Sequence, residues 1–533
     1  MRNRIFLISL FCLATTAQRL FGAADDFRLV EATERGDRTA IKVLLDAKAD
    51  VNAARPDGAT PLAWAVHYDD SESVALLIRA GANVNAANDY GVTPLTLACT
   101  NRNAAMIATL LKAGANPNLA QITGETPLMT CSSTGTVEGV KALLAKGADT
   151  SAAEKRRGQT ALMWAVAEKH PAVVRALVDG GASVHARSKI IPNREPYVIE
   201  SSNIFGGSYE PGVYFPKTTG GFTPLLFAAQ QGVLESAQIL VAAGAKVDDA
   251  SPEDGTPLVV ATHSGHEKVA LFLLEKGADP KATDAYGITP LHYALVAGIQ
   301  AIDGATRSDT DRFGWTKQNM PELVKSLMVQ GADPNAKILK NFPPYDYAPI
   351  ARSIGNDHPQ LSLIGITPYM LAAASADVSA MRVLVEGRAD PKITTPENVS
   401  PVMIAAGFGT DRNMRSEAAA LEALKVAVDL GGDVNAAKED GRTALHAATY
   451  LGWTSVIEFL ASKGANLDAK DMYGQTPISI AMGDPEGLIY RQLAGGRYDD
   501  RFRAGREQKK TIELLLKLGA KPFTGKFRDR SGE

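Results

Sequence analysis

Residues 256–278, TPLVVATHSGHEKVALFLLEKGA, hold in one stretch the two phrases that the rest of the chain repeats. Thr256 has the hydroxyl of a helix N-cap, and Pro257 stands at the first helical position, where the missing N–H costs no hydrogen bond. Five residues past the threonine comes the small Ala261. A Gly-His pair follows, then an apolar run ending in Leu273-Leu274, and Gly277 closes the second helix as a left-handed cap. The stretch therefore reads as helix, turn, helix.

Outward from it, the threonine recurs at Thr60, Thr93, Thr126, Thr160, Thr223, Thr256, Thr289, Thr367, Thr443 and Thr476, with Ser400 in one place. The gaps between these positions are 33, 33, 34, 63, 33, 33, 78, 33, 43 and 33, so the period is 33 and each longer gap is one period plus an insertion. Five residues past every one of them lies a small side chain: Ala65, Ala98, Cys131, Ala165, Ala228, Ala261, Ala294, Ala372, Ala405, Ala448 and Ala481. A slot that admits only small residues marks a place where two helices approach closely. A second phrase keeps the same period, as in Leu76-Leu77 with Gly81-Ala82 and Leu143-Leu144 with Gly147-Ala148, and Asp-x-Gly groups such as Asp57-Gly58 supply the turn back to the next threonine.

A 33-residue period carrying Thr-Pro-Leu-His-x-Ala and then Leu-Leu-x-x-Gly-Ala-Asp-x-Asn resembles the ankyrin repeat. Leu291-His292 and Leu445-His446 carry even its histidine. The resemblance runs from about Phe27 to Phe523 and implies a mainly α solenoid of stacked helix–turn–helix pairs joined by β-hairpin-like finger loops. It also implies protein–protein interaction through a concave face of first helices and fingers. Twelve repeats are counted. The first, with Leu29, Ala32, Leu44 and Leu45 but no Thr-Pro, carries Glu31, Glu34 and Arg35 on its helix, as a terminal repeat facing water requires.

The N-terminus differs in kind. Arg2 and Arg4 precede an apolar run from Ile5 to Ala14, and small residues follow, which is the pattern of a cleaved secretory signal peptide. Cleavage fits after Ala17 or after Ala24, and the second leaves a polar start at Asp25. The expected organisation is a signal peptide over 1–24, uninterrupted repeats 1–5 over 25–186, an aromatic finger insertion over 187–217, repeats 6–12 over 218–523, and a charged tail over 524–533. Localisation is then periplasmic or secreted. After cleavage only Cys99 and Cys131 remain. Taking their backbones to be one layer apart, roughly 8–10 Å, against the ~7 Å that a disulfide spans, the reading is of a thiol-poor protein without a disulfide.

All insertions lie beyond Arg187: besides 187–217, they fall near 299–320, 337–360, 408–417 and 483–508. Two of them concentrate aromatic residues in a chain that is only 6% aromatic. The first holds Tyr197, Phe205, Tyr209, Tyr214 and Phe215 among Pro192, Pro196, Pro211 and Pro216. The second holds Phe342, Tyr345 and Tyr347 with Pro343, Pro344, Pro349 and Pro359. Aromatic side chains on proline-stiffened loops lose little entropy on binding and anchor interfaces well, so these eight are the candidate partner-binding residues. The competing reading folds the rings back onto the repeats.

No phosphate loop, nucleophile elbow or zinc-helix motif is present in the sequence. His263 and His266 fall in an inter-helix turn rather than in a metal site, and His292 and His446 are expected to bond backbone. No catalytic, cofactor or metal residue is assigned. A formal net charge of -3 argues against a dedicated nucleic-acid binder. The expected role is a non-enzymatic, monomeric scaffold for a protein partner. The alternatives are a small-ligand receptor or enzyme whose site the insertions assemble, and a structural spacer.

Overall fold

The computed structural model describes residues 26–192, 197–199, 212–214, 219–303, 318–340, 361–409, 415–472, 474–482 and 508–522. They fall into two compact units, 1–149 and 150–533.

The first unit contains α1 (Arg28–Glu34), α2 (Arg38–Asp46), α3 (Pro61–His67), α4 (Ser71–Arg79), α5 (Pro94–Thr100), α6 (Ala104–Lys112), α7 (Pro127–Thr134) and α8 (Val137–Ala145). Odd-numbered helices stack on one another in order, and each packs on the even-numbered helix that follows it. The first helices start where the sequence places them: the hydroxyls of Thr60, Thr93 and Thr126 accept from the backbone N–H of Ala63, Thr96 and Met129. The second helices are capped by Asp37, Asp70 and Asn103, which accept from Ala40, Ser73 and Met106. Ala65, Ala98 and Cys131 are all buried in the small-residue slot.

The close approach at that slot, with Cys131 in it and Cys99 one residue past it, overturns the expectation for the cysteines. Cys99 on α5 and Cys131 on α7 are joined by a disulfide, their Cα atoms 4.7 Å apart. The 8–10 Å layer spacing is a distance between helix axes, and each Cα lies ~2.3 Å off its axis, so residues facing each other across the stack come within about 4–5 Å. Small side chains let the helices reach that limit.

The second unit begins with α9 (Ala161–Ala167) and α10 (Pro171–Asp179), then a two-stranded antiparallel ribbon of β1 (Tyr197–Ile199) and β2 (Gly212–Tyr214). It continues with α11 (Pro224–Gln231), α12 (Leu234–Ala242), α13 (Pro257–His263), α14 (Glu267–Glu275), α15 (Pro290–Ala294), α16 (Val296–Asp303) and α17 (Pro321–Val329). The last group is α18 (Pro368–Ala374), α19 (Val378–Glu386), α20 (Pro401–Ala405), α21 (Glu417–Asp429), α22 (Ala444–Leu451), α23 (Thr454–Ser462), α24 (Pro477–Met482) and α25 (Lys509–Leu518). The capping logic carries through: Thr160, Thr223, Thr256, Thr289, Thr367 and Ser400 each accept an N–H three residues on.

Two departures from the regular repeat are informative. Twenty-one residues past Thr367, where a clean repeat has its left-handed glycine, stands Arg388, which takes the conformation itself at φ 72°. Gly387, one position early, is not left-handed. The insertion near 299–320 opens with α16, which packs on α18. Gly298 makes this possible, because a Cβ there would sit 2.1 Å from the Leu371 carbonyl oxygen.

Candidate interaction surface

The first aromatic insertion grows from a root held by its neighbours. Ser188 N–H donates to the Phe222 carbonyl at 3.0 Å, Lys189 N–H donates to Arg157 O at 2.7 Å, and Ile191 bridges Thr219 in antiparallel fashion. Arg187 reaches from the same root across two adjacent turns, donating to Gly221 O at 2.6 Å and Ala250 O at 3.0 Å and pairing with Asp249. Beyond the root the backbone pairs again, Tyr197 with Tyr214, Val198 with Val213 and Ile199 with Gly212. Tyr197 and Tyr214, distant in the insertion's sequence, are thus register partners. Phe205, Tyr209 and Phe215 lie outside the described residues.

The second insertion has a similar root. Leu339 and Lys340 donate their N–H groups to Tyr286 O at 3.0 and 3.2 Å, and Ile338 donates to Ile366 O at 3.1 Å. Leu339, at its last described turn, is 67% exposed. Phe342, Tyr345 and Tyr347 lie outside the described residues.

A further aromatic cluster, outside the insertions, lies in the first unit. Trp64 stacks on Tyr68 (centroids 5.8 Å apart, 21° between planes), and His67 meets both rings edge-on. Arg55, from the preceding turn, sits 5.8 Å from the Trp64 centroid and pairs with Glu34 of α1. The ring of Trp64 therefore links the turn at Arg55 to the end of α3, and Tyr68 is 54% exposed. The signal was in the sequence: residues four apart on a helix share a face, and Trp64 and Tyr68 have that spacing.

The histidines do what a repeat needs. Nδ1 of His292 accepts from Thr289 N–H at 3.2 Å while Nε2 lies 3.3 Å from Ile366 O, and His446 repeats the pattern with Thr443 (3.1 Å) and Gln475 O (3.2 Å). Burial lowers the His292 pKa to about 4 and moves His446 in the same direction. His266 Nε2 lies 3.0 Å from Gln230 O, and the His263 ring packs on Tyr293 at 4.8 Å. The Tyr293 hydroxyl donates to Asp284 at 2.7 Å, and burial pushes that phenol well above its ordinary range. Asp284 also accepts from the N–H groups of Tyr286 and Ile288 at 2.9 Å. These polar groups serve the turns. Among the described residues no group of three or more His, Cys, Asp or Glu is placed to hold a metal ion.

A family model described as "Ankyrin repeats (3 copies)" matches residues 29–121, 110–188, 207–284, 225–303 and 413–490, well over half of the chain. The chain belongs to the ankyrin-repeat family. Three relatives match over part of their length. One is "E3 ubiquitin-protein ligase KEG" of Arabidopsis thaliana, 26% identical over 52% of this chain and 17% of that protein. Another is "Ankyrin repeat protein nuc-2" of Neurospora crassa, 31% identical over 24% of this chain and 13% of the relative. A third is "Ankyrin repeat domain-containing protein 53" of Homo sapiens, 42% identical over 16% and 17%. The match therefore spans less than a fifth of each of these relatives. Ankyrin repeats generally mediate protein–protein interaction, and no helix among the described residues is long and apolar enough to cross a membrane.

Proposed function

We propose that this ankyrin-repeat chain is an exported, monomeric, non-enzymatic scaffold of twelve repeats. It holds a protein partner against the face built by its first helices and turns. The aromatic insertions of the second unit supply the anchors: Tyr197, Phe205, Tyr209, Tyr214 and Phe215 in the first, and Phe342, Tyr345 and Tyr347 in the second. Export follows from the pattern of residues 1–24, and a periplasmic or secreted location from export.

The observation that carries the reading is the root of the first insertion. Six residues, Arg187, Ser188, Lys189, Ile191, Thr219 and Phe222, tie it to turns on either side, so the ribbon leaves from a fixed origin. A contact element whose base is ordered before binding pays less entropy when the partner arrives. The test replaces residues 192–218 with an Asn-Gly turn, which closes the bridge between Ile191 and Thr219 as a tight hairpin. Partner recovery in affinity purification from the exported fraction is expected to fall at least tenfold with the repeats still folded. Recovery equal to the full chain's removes the insertion from the interface.

A further inference from the structure

We propose that Cys99 and Cys131 form an oxidative modification site, a cross-link installed by a disulfide-bearing oxidant that stabilises the stack of two consecutive repeats. The compartment half of this inference rests on the exported reading above; the geometry of the cross-link does not.

The two cysteines sit six residues past Thr93 and five past Thr126, the facing positions of stacked first helices. Their Cα separation of 4.7 Å is within the span of a disulfide. A second link holds the same two residues together without the sulfurs. The Thr134 hydroxyl lies 3.1 Å from Cys99 O and 3.2 Å from Cys131 O, so one donor is shared between the two carbonyls. The approach of the backbones is therefore built into the stack, and the covalent bond adds to it.

Both cysteines are 0% exposed. On the outer side, a Cβ at Gly139 would lie 3.1 Å from Cys131 Sγ and 2.7 Å from Ile107 Cδ1, so α8 closes over the sulfur with no space left. An oxidant cannot reach a sulfur so enclosed. The exchange then takes place while α7 and α8 are still apart from α5 and α6. One cysteine, as thiolate, attacks the oxidant's disulfide, forming a mixed disulfide and expelling one of the oxidant's sulfurs as thiolate. The second cysteine thiolate attacks the protein sulfur of that mixed disulfide and releases the oxidant's other sulfur. Two protein thiols lose two protons and two electrons, and the oxidant's disulfide is reduced to two thiols. Such bonds persist in oxidising compartments and are rare where thiols are kept reduced. Once the repeats close, burial protects the bond from exchange.

The experiment uses the full chain in two arms. Protein recovered from the exported fraction is acid-quenched and alkylated with iodoacetamide in denaturant. The Cys99 and Cys131 peptides are expected to stay unmodified until a reductant is added. In the second arm, reduced chain is refolded with glutathione disulfide, and the cross-link is expected to form. It should then resist dithiothreitol in native buffer at least 100-fold longer than in denaturant. Free thiols at both positions in both arms overturn the cross-link. A bond that forms on refolding while the cell-derived chain carries two free thiols overturns the oxidising-compartment half, and the export reading with it, but not the geometry. A Cys99→Ala/Cys131→Ala double variant separates the bond from its setting, since alanine fills the Cys131 position in the other repeats and the Cys99 position as Ala229, Ala373 and Ala406. Reductant should lower the melting temperature of the first unit by roughly 10 °C in the cross-linked chain and leave the variant unmoved. An equal fall in both overturns the stabilising role.

Discussion

Three residues past the N-cap, His292 and His446 stand where other repeats carry Met163, Met370 and Met403, and they add to the slot a group that titrates. In the fold the His292 pKa is lowered from 6.5 to about 4 by burial, so the native state keeps the neutral ring. As pH falls below about 6.5 the unfolded chain takes the proton first, and stability is lost progressively until about pH 4, where the folded ring also protonates. The full loss is on the order of 3 kcal/mol. Urea midpoints measured from pH 8 to pH 4 are expected to fall less steeply in His292→Met than in the natural chain, and parallel slopes would refute the burial effect. The role of this histidine was legible in Thr-Pro-Leu-His, because a side chain at that spacing can return a bond to the capping backbone. Arg388 was not legible. Counting 21 residues from Thr367 lands on it, yet the nearby Gly387 draws the eye to the wrong place. A left-handed L-residue costs about 1–2 kcal/mol, and glycine gives back part of that in chain entropy. Arg388 is exposed, so Arg388→Gly is expected to raise stability by about 0.5–1 kcal/mol in urea melts; a fall would mean that the side chain has a contact the fold needs.

At the scale of elements, the short insertion near 408–417 shows what such segments do when they turn inward. Arg415 projects from its end into the stack. It donates from Nη1 to Ala373 O (2.7 Å) and Ala374 O (3.0 Å), and from Nη2 to Ala405 O (3.1 Å) and Ile404 O. These are the last carbonyls of α18 and α20, the negative ends of two adjacent helix dipoles. The Trp453 ring packs over the guanidinium at 5.5 Å. Burial pushes the Arg415 pKa down to about 9, which leaves it charged at neutral pH. Arg415→Met removes these four bonds, leaving Ala373 O and Ile404 O with the N–H groups of Ala376 and Gly407 but taking the side-chain donor from Ala374 O and Ala405 O, and is expected to cost about 3 kcal/mol. Arg415→Lys should recover little of it, because a point charge cannot replace a planar fork. A lysine variant as stable as the natural chain would show that charge alone suffices. The period of 33 implies an insertion near 408–417, but not this role: nothing local to Arg415 says which helix ends lie nearby. The same limit applied to Cys99 and Cys131. Cys131 lies in the small-residue slot and Cys99 one residue past it, which turns the two toward each other, and the error lay in using the spacing of helix axes as the distance between facing residues.

For the whole molecule, the consequence of repetition is that most neighbours in space are one period away in sequence. Capping bonds span three residues, and the side-chain amides that tie successive turns span about one repeat, as when Asn85 accepts from Asn116 N–H and Asn118 from Asp149 N–H. Damage to one layer is then felt by the layers it touches and fades beyond them. Thr289→Ala removes the hydroxyl that accepts from His292 N–H and lies 2.8 Å from His292 Nδ1, and should cost ~1 kcal/mol. Hydrogen exchange is the measurement that separates a local loss from a global one. Amides of α15, of α13 before it and of α17 and α18 after it, the helices that pack on α15, are expected to exchange faster in the variant. Those of α1–α8, in the other compact unit, should keep their natural rates. A uniform acceleration across both units would mean that the chain unfolds as a single cooperative body, and the period of 33 would then describe how the protein is written without describing how it holds together.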